Sequence, residues 1–225
     1  MPLTFRIGTW LLKAIFWLLS RCQVRSKENI PLQGPLIIVA NHLHNVDPPL
    51  LAATIPRLTV FMAKEELFRS RWLSPVIRWF RAFPVHRGQT DRKALRQASA
   101  ALEQGLALAM FPEGTRSPTS QLRAGEPGAA FVALRSPNVP ILPVGIFGTE
   151  KLKGWAWLGL RPRITLNIGQ PFTLPPTDGK LTKAQLTLAT DLIMAHIAAL
   201  LPPEYRGVYS KADRHDLGSR SNATE

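Results

Sequence analysis

The chain predicts an α/β fold: a single domain with a mixed, mostly parallel sheet flanked by helices, plus an N-terminal interfacial amphipathic helix. Two observations carry that reading. Mainly apolar runs at residues 36–40, 58–63, 106–111 and 141–146 are too short for helices and read as buried strands. Helical patterns stand between them, and strands alternating with helices argue for α/β layering. In addition, polar residues cluster directly after these runs, at strand exits, where α/β folds place their sites.

In the first segment Ile7, Trp10, Leu11, Ala14, Ile15 and Leu18 recur at helical spacing, with Arg6, Thr9, Lys13 and Ser20 opposite. Phe5, Leu12, Phe16 and Leu19 widen the apolar side. A membrane-spanning helix needs about 20 mostly apolar residues, and Lys13 interrupts the run. No small-x-small cleavage site follows, which disfavours a signal peptide. Residues 1–20 are therefore expected to lie in a membrane interface, with a terminal helix packed on the domain as the alternative. Residues 21–209 form the expected domain, and the polar residues 210–225 an expected disordered tail.

The run 36–40 ends in Asn41-His42-Leu43-His44-Asn45-Val46-Asp47-Pro48-Pro49. Asp47-Pro48 has the form of an N-cap followed by proline at the first helical position. His42 would leave a core strand and face that helix, and the intervening residues permit a turn returning the carboxylate to the imidazole. Such a pair suits a general base, because the carboxylate fixes the tautomer and stabilises the imidazolium. A strand-end histidine and a helix cap account equally for the same two residues. His42-Leu43-His44 has no third ligand at a metal-binding spacing, so no metal site is expected.

After residues 58–63 stands Lys64, and residues 69–81 read as a basic, aromatic helix starting near Ser74-Pro75. Residues 83–88 form a short strand running into a turn at Arg87. Thr90-Asp91 caps a helix that Gly105 stops. The run 106–111 opens into Pro112-Glu113-Gly114-Thr115-Arg116-Ser117. Gly114 permits a tight turn, Thr115 offers a hydroxyl and an amide, and Arg116 offers a fork for phosphate; alone, the stretch is equally a capped turn. Residues 125–134 read as a short buried helix, and residues 139–146 and 163–168 as strands. A last helix from about Thr182 has Leu186, Ala189, Ile193, Ile197 and Leu200 along its seam.

Lys and Arg total 28 against 15 Asp and Glu, a net charge of +13. Such a surface favours polyanionic partners. Each of the six Trp lies near Lys or Arg, the pattern of a membrane interface; single-stranded nucleic acid is the minority reading. Cys22 is the sole cysteine, so no intrachain disulfide exists.

Taken in order, Asn41-His42 with Asp47, Lys64-Glu65-Glu66-Leu67, Phe83 to Arg87, Phe111 to Ser117 and the Val139-Pro140/Pro143-Val144 strand resemble the blocks of the glycerolipid acyltransferases, the 1-acylglycerol-3-phosphate acyltransferase family. The likeness covers residues 33–209. It implies transfer of a fatty acyl group from acyl-CoA or acyl carrier protein to lysophosphatidic acid, without a bound cofactor. His42 would be the base and Asp47 its orienter. Arg87, Arg116 and Lys64 would hold the phosphate, beside Gly114 and Thr115, and Glu113 would bind acceptor hydroxyls or brace the arginines. The expected location is peripheral or monotopic on an anionic membrane surface, the cytoplasmic face of a bacterial inner membrane, with no nucleic acid partner. The sequence departs from the pattern at Glu126-Pro127, where many relatives carry Lys. Another acceptor, such as glycerol 3-phosphate or a different lysolipid, or a non-catalytic basic binding module, are the alternatives.

Overall fold

The computed structural model describes residues 3–86, 91–152, 161–177 and 179–210. Its seven strands are β1 (Arg21–Arg25), β2 (Leu36–Ala40), β3 (Thr59–Lys64), β4 (Phe83–Val85), β5 (Ala107–Met110), β6 (Ile141–Phe147) and β7 (Arg163–Ile168). They form one sheet in the order β1-β7-β6-β2-β5-β3-β4. Every neighbouring pair is parallel except β6 and β7. The sheet is thus mixed and mostly parallel, as the alternation of elements predicts.

Side chains alternate across the pleat and build a core on each face. Ile37, Val39, Leu108 and Met110 point to one side, where they join α5 (Arg92–Glu103), α6 (Gly128–Arg135) and α7 (Lys183–Ala199). Leu36, Ile38, Ala40, Ala107 and Ala109 point to the other. That face is covered by α1 (Leu3–Leu19) through Leu12 and Phe16 and by α2 (Asp47–Thr54) through Leu50 and Leu51. Burial on both faces explains why the central strands read as apolar runs.

Helix starts follow their caps. Asp91 accepts from the amides of Lys93 and Ala94, whereas Thr90 lies outside the described residues. Thr182 and Gln185 form a reciprocal capping box on α7. Two segments depart from expectation. Within 69–81 the helix is α4 (Leu73–Trp79), starting close to the expected Ser74-Pro75, while a turn joins it to a separate short helix not expected, α3 (Glu65–Phe68); Pro75 sits in the first turn of α4, where its missing N–H costs nothing. Strand β1 was not expected, because its alternation of exposed and half-buried residues in Arg-Cys-Gln-Val-Arg carries no apolar run. It is an edge strand paired with β7 alone. The tryptophans at 155 and 157 and the tail from 211 fall outside the described residues. Among the described residues, no helix is long and apolar enough to cross a membrane.

At the end of the sheet opposite the strand exits, the buried Arg57 guanidinium donates to the carbonyls of Pro31 at 2.6 Å, Gln33 at 3.3 Å and Gly105 at 3.1 Å, and to Gly34. It ties the entry of β2 to the entry of β5. Replacing Arg57 by Ala orphans these carbonyls, and one buried unsatisfied group costs about 1–3 kcal/mol. Arg57→Ala should lower the urea-unfolding free energy by at least about 2 kcal/mol at unchanged m-value; a midpoint like that of wild type would show that the clamp is dispensable.

Candidate active site

Strand β2 delivers Asn41 and His42 to the carboxyl end of the sheet. The Asn41 side chain donates to the carbonyl of Ile146 and accepts from its amide, both at 2.7 Å, continuing the ladder to β6 beyond the last β2 residue. The next residue, His42, is therefore fixed in height. Its Nδ1 lies 2.8 Å from Asp47 Oδ2, and the same oxygen accepts the amides of Leu43 and His44 at 2.7 Å each. Asp47 is completely buried. It is the first residue of α2, not its N-cap: Val46 holds that position without a side-chain bond. The carboxylate folds back on the turn because three N–H donors are offered there. With Nδ1–H donating to Asp47, Nε2 of His42 carries the lone pair.

Neighbouring β5 supplies the rest of the centre. Phe111 stacks on the His42 imidazole, ring centroids 4.3 Å apart at 25°. The buried Glu113 carboxylate accepts the His42 amide at 2.8 Å through Oε1 and the Arg123 amide at 3.1 Å through Oε2. Burial pushes its pKa up to about 7, opposed by those two amides and by the Arg123 charge. Both oxygens of Glu113 are thus directed at backbone, bracing the histidine against the 117–126 segment. Ser117 closes the other side, donating its amide to the His42 carbonyl at 2.8 Å.

Gly114 has φ +67°, the left-handed region that lets the chain turn there. Thr115 and Arg116 follow, both exposed. Among the described residues no hydrogen bond or ion pair occupies the Arg116 guanidinium, which is available to an anion. The Glu126 side chain lies against Gly114: a β-carbon there would meet Glu126 Cγ at 3.2 Å.

Lys64 ends β3, half exposed, with Nζ 3.2 Å from Glu66. The strand order sets its distance from His42. Adjacent strands are about 4.8 Å apart, so β5 stands one step from β2, β3 two steps and β4 three. Arg87 follows β4 in sequence and lies outside the described residues. At the end of β4, His86 Nδ1 lies 2.9 Å from Asp91, and Nε2 pairs with Glu65. The Asp91 bond and the Glu65 charge hold the imidazole pKa above its ordinary value. Asn41, His86, Phe111 and Ser117 stand in the blocks read from the sequence but were given no role there, and Arg123 was not singled out. Only the adjacency of β2, β5 and β6 makes the parts played by Asn41 and Phe111 visible.

The residues placed together here can remove a proton at His42 Nε2 and receive an anion one strand away. The chain is similar to a 1-acyl-sn-glycerol-3-phosphate acyltransferase of Bacillus subtilis, 28% identical over 84% of this chain and 92% of that one. It is 33% identical to the enzyme of that name from Streptococcus pneumoniae over 73% of this chain and 61% of the relative. Its fold matches the solved 1-acyl-sn-glycerophosphate (LPA) acyltransferase PlsC of Thermotoga maritima with a TM-score of 0.65, 30% identity, and coverage of 84% of this chain and 76% of that one. Residues 21–147, more than half of the chain and all of the site just described, match the family model named Acyltransferase, and the chain belongs to that family.

Proposed function

We infer that the chain is a membrane-associated O-acyltransferase that moves a fatty acyl group from acyl-CoA or acyl carrier protein to the free hydroxyl of 1-acylglycerol 3-phosphate, giving phosphatidic acid. The observation that carries this is the His42–Asp47 pair at the exit of β2, with the unoccupied Arg116 guanidinium on the turn after adjacent β5. The relatives' shared name supplies the acceptor.

In this mechanism His42 Nε2 takes the hydroxyl proton as the oxygen bonds to the thioester carbonyl carbon. Collapse of the adduct breaks the carbon–sulfur bond, and the imidazolium gives the proton to the departing thiolate. Asp47 holds the tautomer throughout. Free alkoxide is inaccessible at neutral pH, so base assistance and positioning lower the barrier. Cys22 stands on β1, on the far side of β7 and β6 from the base, and the chain has no Gly-x-Ser-x-Gly elbow. Direct transfer in a ternary complex therefore fits better than an acyl-enzyme.

The acceptor's phosphate lies only a few bonds from its reacting hydroxyl. With the hydroxyl at His42, the turn 114–116 on the adjacent strand is the near phosphate contact. Lys64 reaches from the farther strand β3 through its long side chain, and Arg87, which follows β4 in sequence, is the third proposed phosphate contact. The chain acts on the cytoplasmic face of the membrane, where soluble thioester carriers meet a bilayer-resident acceptor, and residues 1–20 hold it there.

His42→Ala should abolish thiol release, and Asp47→Asn should lower kcat by about 10²–10⁴-fold with the fold intact; near-wild-type turnover of purified His42→Ala would end the mechanism. Charged hydrogen bonds are worth about 1.5–3 kcal/mol, so Arg116→Ala should cost about tenfold to a hundredfold in kcat/KM for lysophosphatidic acid. Arg116→Lys should rescue in part, keeping charge without the fork. Kinetics with the dephosphorylated monoacylglycerol check the assignment: an equal loss on both acceptors contradicts a phosphate contact. Glu113 adds a pH signature. From about pH 4.5 to about 7 the unfolded chain releases this proton and the folded chain keeps it, so its contribution to stability falls as pH rises through that window and is constant above it. Glu113→Gln titrates in neither state. Unfolding free energies at about pH 5 and about pH 7.5 should accordingly differ less in the variant, and an unchanged difference would contradict the raised value.

A further inference from the structure

Twelve of the fifteen exposed large hydrophobic side chains among the described residues lie on α1 or between Leu67 and Trp79. The two segments are physically joined. Phe5 of α1 stacks on Trp79 of α4, centroids 5.5 Å apart at 24°. Gly8 forms the socket, since a β-carbon there would overlap the Trp79 indole. Trp79 packs edge-on against Phe80 at 4.9 Å, and buried Phe80 packs edge-on against Phe61 of β3. Helix α1 is therefore locked through α4 to a core strand.

Charge identifies what covers this surface. Residues 3–25 and 67–86 contain eight Lys and Arg and no Asp or Glu. A second copy of the chain docked on the same patch would set these cations against their own counterparts. A nucleic acid would neutralise them but leave Trp10, Trp72, Leu73 and Val76, exposed at 66%, 84%, 49% and 50%, without an apolar phase. Only an anionic bilayer answers both, taking aromatic and aliphatic side chains below its headgroups and cations among them.

We propose that α4 is the second half of the membrane-docking surface: α1 and α4, keyed together at Gly8 and Trp79, form one rigid face for anionic lipid, with Trp72 as its most projecting anchor. This deepens the membrane reading given above and rests on it. Because α4 leads directly into β4 and is fixed to β3, docking through both helices sets the height of those strand exits over the bilayer, which α1 alone would not.

The test is flotation of the full-length chain with vesicles of phosphatidylcholine alone or mixed with phosphatidylglycerol, for wild type, Trp72→Ser/Val76→Ser, and Trp10→Ser/Leu11→Ser. All substituted side chains are exposed, so folding is expected to persist, with far-UV circular dichroism as the check. Expected is salt-sensitive binding of wild type to anionic vesicles, and at least about tenfold weaker binding for each double variant. Acylation of a short-chain, monomeric lysophosphatidic acid should stay at the wild-type rate in the α4 variant, while acylation of vesicle-embedded acceptor falls. An α4 variant that binds like wild type while the α1 variant is released overturns the proposal and leaves α1 as sole anchor. So does a lipid-free dimer that Trp72→Ser/Val76→Ser dissociates, since a second copy would then cover the face. Failure of wild type itself to bind vesicles, with soluble acceptor still acylated, removes the membrane reading and this inference with it, but not the acyl transfer.

Discussion

One carboxylate oxygen sets the turn that carries His42. Asp47 Oδ2, fully buried, gathers the imidazole N–H of His42 and the amides of Leu43 and His44. A buried charge without partners costs several kcal/mol. The chain from 42 to 47 is accordingly held to the one path that brings all three donors to that oxygen. The same path directs Nε2 away from the carboxylate, so the condition that makes Asp47 tolerable in the core also fixes which way the free ring nitrogen of His42 faces.

The sheet extends that constraint sideways. Asn41 prolongs the ladder to β6, Glu113 from β5 takes the His42 amide, and Ser117 bonds the His42 carbonyl. Every main-chain group of His42 is thereby tied to an adjacent strand or its exit loop, and the imidazole rests on rigid elements. The β3–β4 end is held differently. There Lys64 pairs with Glu66 and His86 with Glu65 in half-exposed positions, and exposed ion pairs contribute little rigidity. Under the proposed mechanism a base must be fixed, whereas binding of a phosphate tolerates adjustment, and the contrast between the two ends of the sheet suits those two roles.

Local chemistry was legible where one segment contained it. The central strands announced themselves because burial on both faces demands apolar side chains throughout, and the last helix announced itself by its seam of Leu186, Ala189, Ile193 and Ile197 after Thr182. Within the site, the His42–Asp47 pair was readable because both partners lie in one turn. Phe111 over His42 and Asn41 against Ile146 were not, since they depend on β2 lying between β5 and β6, a neighbour relation that no local pattern encodes. Edge strand β1 escaped for the opposite reason: exposed on one side, it needs no apolar run. Asp47 read as a cap because Asp-Pro-Pro usually is one, and only the offer of three donors from the preceding turn redirects its side chain. Pro75 marked the start of α4 because proline fits a first helical turn, whereas the four residues of α3 are too few to show a helical spacing.

Helix α1 meets one of two expectations, a terminal helix packed on the domain, and its outer surface bears on the other, a helix lying in an interface. It carries apolar side chains around most of its circumference. The stripe through Phe5, Gly8, Leu12, Phe16 and Leu19 faces the domain, and that through Leu3, Ile7, Trp10, Leu11 and Leu18 faces outward. A water-soluble surface helix would confine its apolar residues to one stripe. Packing on α2 and α4 accounts for the first stripe only. The second gains nothing from the fold, and residues such as Trp10 and Leu18 there cost free energy in water. Two stripes on one short helix are what a domain needs if it is to be joined to a second apolar phase without crossing it.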